Sequence, residues 1–129
     1  MPYYKGLVLD TNFLMIPGQF RVDIFEELEK SCYFPFQLYT TSGNIDELNR
    51  LRLKGTVKDR TAANVGLGLI KAKNLKIIAI ERDKGVDDAL VRLSEEGYII
   101  ATVDRGLQKR LKAYAYLRQK RYIEFKGVD

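Results

Sequence analysis

The chain has 129 residues, 46% of them hydrophobic, which is enough to bury one ordinary core, so we expect a single domain over residues 1–129. It carries 22 Lys and Arg against 17 Asp and Glu, and the resulting net charge of +5 favours a polyanionic partner such as nucleic acid. The absence of histidine excludes Ser-His-Asp and Cys-His catalysis and every His-based metal site, and the single cysteine excludes an internal disulfide bond and a structural zinc site.

Membrane insertion is not expected either. No apolar run approaches the roughly 20 residues that a membrane-spanning helix needs, and no apolar signal segment precedes the first predicted strand. We therefore expect a cytoplasmic protein without a membrane partner.

The predicted elements alternate between strands and helices along the chain. The strands are short and apolar, and they cover residues 6–9, 37–40, 75–80, 98–102 and 122–125. The helices have apolar residues at helical spacing, and they cover about residues 20–30, 44–53, 56–73, 86–96 and 105–114. This alternation predicts an α/β fold, and residues 122–125 are expected to form an edge strand.

Acidic residues stand at the ends of these elements. Asp10 follows the first strand, Glu47 lies early in the helix after the second, Asp87 and Asp88 open the helix after the third, and Asp104 follows the fourth. If the strands are parallel, their carboxyl ends meet at one edge of the sheet, and the acids converge there. Carboxylates within about 4–6 Å of one another repel unless a cation compensates their charge. An all-oxygen ligand set of this kind selects Mg²⁺ or Mn²⁺.

Each acid also has a purely structural explanation. Asp104 can cap the helix that follows it, and Glu47 can face solvent as most helical glutamates do. Asp87 and Asp88 can each stabilise a helix N-terminus, typically by about 0.3–1 kcal/mol. One acid satisfies that role, and a second adjacent acid adds repulsion, which favours a cation ligand for one of the two.

Basic residues follow two of these acids. Arg50 and Arg52 come after Glu47, and a second basic group, Arg105, Lys109 and Arg110, comes after Asp104. These cations form either a solvated surface or a set of contacts to the phosphates of a nucleic acid.

Four segments resemble the signature segments of the PIN-domain ribonucleases. They are residues 9–14 (LDTNFL), the acid Glu47 after Thr41-Ser42, residues 87–91 (DDALV) and residues 101–107 (ATVDRGL). The last two, with Lys109 and Arg110, are most similar to the archaeal and eukaryotic branch that processes ribosomal RNA, which includes archaeal proteins labelled VapC-type toxins. The resemblance implies a three-layer α/β/α fold with a central five-stranded parallel sheet and a metal-dependent endoribonuclease activity.

The resemblance also assigns site residues. The catalytic and metal-binding acids would be Asp10, Glu47, Asp88 and Asp104, with Asp87 as the alternative to Asp88. Asp88 is preferred because it directly precedes Ala89-Leu90-Val91, the segment that matches the family. Three polar residues, Thr11, Asn12 and Thr102, would orient the carboxylates. The RNA backbone would be held by Arg50, Arg52, Arg105, Lys109 and Arg110.

The same resemblance implies Mg²⁺ or Mn²⁺ as the cofactor, RNA as the substrate, a homodimer and, for a toxin, an antitoxin protein as partner. Two other classes of function stay open. One is a catalytically silent RNA-binding or ribosome-assembly factor with the same fold, which metal-dependent cleavage would separate from a nuclease. The other is a different α/β enzyme or switch. A haloacid-dehalogenase-like phosphatase needs an acid at position 12, which is Asn, and a receiver domain needs an acceptor after the third strand and a Lys after the fifth.

Overall fold

Six β-strands form one sheet in the computed structural model, which describes residues 4–128. The strands are β1 (Lys5–Leu9), β2 (Phe36–Thr41), β3 (Lys76–Ile78), β4 (Ile99–Ala101), β5 (Tyr114–Arg118) and β6 (Tyr122–Lys126). Their order across the sheet is β3-β2-β1-β4-β5-β6, and every neighbouring pair is parallel except β5 and β6. The predicted single domain includes residues 1–3 and 129, which lie outside the described residues, so that domain assignment stays a prediction.

Helices cover both faces of the sheet. They are α1 (Thr11–Leu14), α2 (Ile16–Phe20), α3 (Ile24–Ser31), α4 (Ser42–Lys54), α5 (Val57–Ala72), α6 (Val86–Glu95) and α7 (Arg105–Gln108). Within residues 4–128, none of these helices has the length and apolar composition needed to cross a membrane.

Alternate residues of the central strand contribute to two separate cores. Leu7 and Leu9 pack in the larger core with apolar residues of α1 to α5, whereas Val8 packs with Leu90 and Leu93 of α6. This alternation arises because successive side chains of a strand point to opposite faces of the sheet. The structure therefore confirms the predicted three-layer α/β/α class.

The sheet differs from the prediction at its β5–β6 edge. A helix was expected over residues 105–114, but α7 ends at Gln108 and a further strand, β5, begins at Tyr114. The alternation of half-buried Tyr114 and Tyr116 with fully buried Ala115 is a strand period that a helical interpretation misses. The sheet thus has six strands instead of five, and the predicted edge strand, β6, is antiparallel to its neighbour.

The chain reverses between β5 and β6 without the usual sequence signal of a hairpin. Gln119 and Lys120 both adopt left-handed backbone conformations, with φ of 54° and 56°. Positive φ at two successive turn residues is typical of a tight hairpin, where Asn and Gly are the favoured residues. Because Gln and Lys occupy these positions, the sequence alone gave no indication of the turn.

Candidate active site

Asp10 lies at the carboxyl end of β1, the strand between β2 and β4 in the sheet. Its side chain is only 5% exposed and is held by three donors. The Thr11 amide and the Asn44 side-chain amide donate to Oδ1 at 2.8 and 2.9 Å, and the Thr102 hydroxyl donates to Oδ2 at 2.7 Å. These bonds connect β1 with the residues that follow β2 and β4, and they fix the orientation of the carboxylate.

Burial is the main influence on the charge of Asp10. It raises the pKa of this carboxyl above its ordinary value, and the negative charge of Asp87 raises it further. The hydrogen bonds from Thr102, Thr11 and Asn44 lower the pKa but do not fully compensate. The fold therefore presents a carboxylate in a fixed orientation whose negative charge would be stabilised by a nearby cation.

Asn44 is a member of this site that the sequence analysis did not identify. It is fully buried in the first turn of α4, and its side-chain amide donates to Asp10 Oδ1 and to Thr11 Oγ1, each at 2.9 Å. Its own Oδ1 accepts from the Thr41 hydroxyl at 2.7 Å. Asn44 precedes Glu47 by three residues, so both lie on the same side of the helix. That spacing was the signal that could have identified it.

Thr102 and Asn12 connect Asp10 to the segment after β4. The Thr102 oxygen lies 3.2 Å from Asn12 Oδ1 and accepts from the Asp104 amide at 3.2 Å. Asn12 Oδ1 also accepts from the Val103 amide at 3.1 Å. Thr11, Asn12 and Thr102, which were expected to orient the carboxylates, all lie in the hydrogen-bond network around Asp10.

Glu47 is a half-buried residue on α4. Burial raises the pKa of its carboxyl, the negative charges of Asp10 and Asp87 raise it further, and the charge of Arg50 lowers it. The Thr11 hydroxyl also lowers it. Glu47, Asp10 and Asp87 therefore influence one another electrostatically. Among residues 4–128, however, no three acidic side chains approach closely enough to form a preassembled metal-binding cluster.

The two adjacent acids at the start of α6 have different surroundings. Asp88 is exposed and accepts a hydrogen bond from the Arg110 guanidinium, with Oδ1 2.6 Å from the nitrogen. Asp87 is the acid whose charge raises the pKa of both Asp10 and Glu47. Asp88 thus pairs with Arg110, whereas the negative charge of Asp87 acts on the carboxyls of Asp10 and Glu47 and also on Arg110.

Asp104 caps the last short helix. Its Oδ1 accepts from the Leu107 amide at 3.1 Å, which is the structural role that the sequence left open for this acid. Its backbone amide donates to the Thr102 hydroxyl, which in turn donates to Asp10. Asp104 therefore lies beside the network while one of its carboxylate oxygens is used in the cap.

The five basic residues lie in four different surroundings. Arg50 lines a cavity of about 290 Å³ together with Glu47, and Arg105 and Lys109 line a second cavity of about 560 Å³. Arg110 pairs with Asp88. Arg52 contacts Asn49 and faces an open groove between α4 and α5, away from the acids. Four of the five cations expected to hold RNA thus lie near an acid or near the segment after β4, and Arg52 does not.

Comparison with known proteins shows the family and the fold of this chain. Residues 7–120 match a family described as "PIN like domain". The chain is 30% identical to "Ribonuclease VapC4" of Methanocaldococcus jannaschii over 97% of its own length and 98% of that protein. Its fold superposes on the "PIN domain endonuclease Utp24" with a TM-score of 0.75 at 21% identity, covering 98% of this chain and 93% of the other.

Proposed function

This chain belongs to the PIN-domain ribonuclease family, and we propose that it is an Mg²⁺- or Mn²⁺-dependent endoribonuclease that hydrolyses phosphodiester bonds in RNA. The observation that carries the proposal is the environment of Asp10. A buried carboxylate is held by three hydrogen bonds, while Glu47 and Asp87 add negative charge to the same site. This arrangement makes the site favourable for a cation.

The residues present suit a hard divalent cation. Carboxylate oxygens are the ligands that Mg²⁺ and Mn²⁺ prefer. Asp10 and Asp104, one acid of the Asp87–Asp88 pair and Glu47 would hold the ion, and the charges that act on Asp10 and Glu47 favour Asp87 over Asp88. When bound, a divalent ion lowers the pKa of water and stabilises negative charge on the phosphate.

The side chains around the acids have separate roles in this proposal. Thr102, Asn44 and Thr11 hold the Asp10 carboxylate in one orientation, so no reorganisation is needed when substrate arrives. Glu47 would hold the ion through its carboxylate, and the cation would compensate the burial and the negative charges that raise the pKa of this group. Arg50, Arg105 and Lys109 would bind phosphates on either side of the cut bond, giving affinity without sequence specificity.

The curated relative and the sequence support two biological settings. The curated relative is named "Ribonuclease VapC4", which favours a VapC-type toxin with an antitoxin partner. The resemblance of residues 87–91 and 101–107 to the branch that processes ribosomal RNA gives the second setting. We assign a cytoplasmic homodimer acting on RNA in either case.

The proposal is tested by RNA cleavage with metal-stripped protein, with and without millimolar Mn²⁺ or Mg²⁺. We expect cleavage to depend on the metal and to fall by more than about 100-fold in Asp10→Asn and Glu47→Gln, since even partners of metal ligands typically cost 10- to 100-fold. Glu95→Gln, an exposed change at the end of α6, is the matched control.

One observation favours a second candidate function. Asp104 caps α7 and Asp88 pairs with Arg110, so two of the four expected acids already have structural partners. A catalytically silent RNA-binding factor would use the acids in this way. That function would be established instead if wild type and Asp10→Asn bind RNA equally well and neither protein shows metal-dependent cleavage.

A further inference from the structure

The outer face of the β5–β6 hairpin is a part of the sheet that α6 does not cover. Ile100 of β4 packs with Leu90 and Leu93 of α6, and Tyr114 is the residue of β5 that pairs with Ile100. Tyr114 and Tyr116 therefore lie on the same face of the sheet as α6, beyond the strands that α6 covers. Over the hairpin, an open cavity of about 560 Å³ lies on this face, and α7 forms one wall. We call the surface made by Tyr114, Tyr116, Arg118 and Lys126 the hairpin face.

Aromatic rings and cations alternate on this surface. The ring centroids of Tyr114 and Tyr116 are 6.0 Å apart with a tilt of 50°. Register places Tyr114 opposite Lys126, and Tyr116 opposite Glu124. The Tyr116 hydroxyl donates to Glu124, which also pairs with Arg118. These contacts hold the Tyr116 ring in place and compensate the charge of Glu124.

The hairpin face is positively charged and adjoins the acids. Its cavity is lined by four cations, Arg105, Lys109, Arg118 and Lys126, and among the described residues no acid lines it. Arg105 directly follows Asp104, and Val103, which also lines the cavity, donates to Asn12. A chain that passes over this surface therefore reaches the network around Asp10.

We infer that the hairpin face binds a single-stranded segment of RNA that flanks the cut phosphodiester, with bases stacked on Tyr114 and Tyr116 and phosphates held by Arg105, Lys109 and Lys126. This inference rests on the proposed function. Tyrosine rings provide stacking surfaces for bases of any sequence, and they require unpaired bases because the faces of paired bases are already stacked. A second copy of this chain, itself carrying +5, is disfavoured at a cationic surface.

The inference is tested by fluorescence anisotropy with a fluorescein-labelled 12-nucleotide oligouridylate, using full-length protein in chelator so that cleavage plays no part. We expect Tyr114→Leu and Tyr116→Leu each to weaken binding by roughly tenfold, within the range found for loss of one stacked base. Tyr33→Leu is the matched control, because Tyr33 is 73% exposed and lies outside this cavity. Its affinity should stay within about twofold of wild type.

A second measurement keeps the inference testable if a tyrosine variant folds poorly. Lys126→Met should reduce the slope of log affinity against log salt concentration by about 0.7, the value for one phosphate contact to a single strand. Lys76→Met on β3, at the opposite edge of the sheet, should leave the slope unchanged. A 12-base-pair RNA duplex should compete more weakly than the single strand.

Three results would overturn the inference. The first is unchanged RNA affinity in both tyrosine variants and in Lys126→Met, and the second is equal competition by the duplex and the single strand. The third is a change in the sedimentation coefficient of the tyrosine variants without a change in RNA affinity, which would assign the surface to a protein partner. The proposed function is tested separately. Wild type that binds RNA through these tyrosines yet never cleaves it would contradict only the nuclease activity, and cleavage that is indifferent to the tyrosines would contradict only the hairpin face.

Discussion

The fold disfavours the negative charge of Asp10, because burial raises the pKa of its carboxyl above the ordinary value of 3.8. A raised pKa in the folded state stabilises the protein below the unfolded pKa, and that contribution is lost as pH rises through the folded value. Glu47 acts in the same direction. The raised pKa values of these two carboxyls should therefore make the metal-free protein less stable as pH rises above about 4.

Asp10→Asn should flatten that pH dependence. The variant keeps an oxygen for the Thr11 and Asn44 donors, and the Thr102 hydroxyl can turn toward Asn12 Oδ1, 3.2 Å away. We expect it to be more stable than wild type at pH 7 in chelator and closer to wild type at pH 4, as measured by urea unfolding. Asp83→Asn, in an exposed loop, is the control. A variant that is less stable than wild type at both pH values would show that the carboxylate is needed for packing instead.

Asn44 provides a second test at a single residue. Asn44→Ala would leave Asp10, Thr11 and Thr41 without their shared partner, and loss of a buried hydrogen-bond partner typically costs about 1–3 kcal/mol. We expect that loss in urea unfolding, together with a drop in RNA cleavage. Asn64→Ala, at an exposed position of α5, should change neither. If both Asn variants behave alike, the buried network does not stabilise the site.

The sequence indicated candidate acids but not all of their partners. Asp10 and Asp104 follow apolar strands, and Glu47 and Asp88, with Asp87 as its alternative, lie early in helices that come after strands. Topology therefore predicts that these acids approach one edge of the sheet, and their role as metal ligands stays a prediction. Asn44 was not predictable as a buried residue, because its burial depends on how α4 packs against β2, α1 and α5. Polar helix residues are usually exposed, and only the packed structure shows this exception.

At the scale of elements, the rotation of α6 decides which of its two acids faces the site. Successive helical residues point about 100° apart, so Asp87 and Asp88 do not face the same way. The family resemblance preferred Asp88, whereas the charges around Asp10 and Glu47 involve Asp87, and Asp88 pairs with Arg110. The rotation of a helix about its axis is set by its apolar contacts, here Ala89, Leu90 and Leu93. A local sequence match does not specify it to one residue.

We predict that Asp87→Asn reduces the response to metal more than Asp88→Asn does. The measurement is the increase in melting temperature that millimolar Mn²⁺ causes in each variant relative to the same variant in chelator. Asp88→Asn removes only an exposed ion pair, for which the typical contribution is below about 1 kcal/mol. A larger loss of response in Asp88→Asn would restore the assignment that the family resemblance favours.

The hairpin illustrates a second limit at this scale. Residues 105–114 have the charge and apolar spacing of a helix, but α7 stops at Gln108 because the chain is needed to form β5 beside β4. Ala115 is fully buried and pairs with Ala101 of β4, a residue that lies outside the segment 105–114. Such pairing overrides local preference and cannot be inferred from a single helical window.

For the whole molecule, the topology explains why the resemblance was readable in four short segments. Parallel strands β1, β2 and β4 bring their carboxyl ends to one edge, so the residues after each strand become neighbours although they are separated by about 30 to 90 positions in the chain. The match of residues 7–120 to the PIN-like family confirms the resemblance over most of the chain. The comparisons therefore show the family and the fold, and the set of metal ligands stays a prediction.

The whole-molecule test of that ligand set is stabilisation by metal. A cation that binds only the folded state adds about 2.7 kcal/mol at 100 times its dissociation constant. For a chain of 129 residues, that corresponds to an increase in melting temperature of roughly 10 °C. Wild type in saturating Mn²⁺ should show this increase relative to chelator, and Asp10→Asn should show little of it although its metal-free form is the more stable at pH 7. An equal increase in both proteins would mean that the cation binds elsewhere and that the carboxylates around Asp10 are not its ligands.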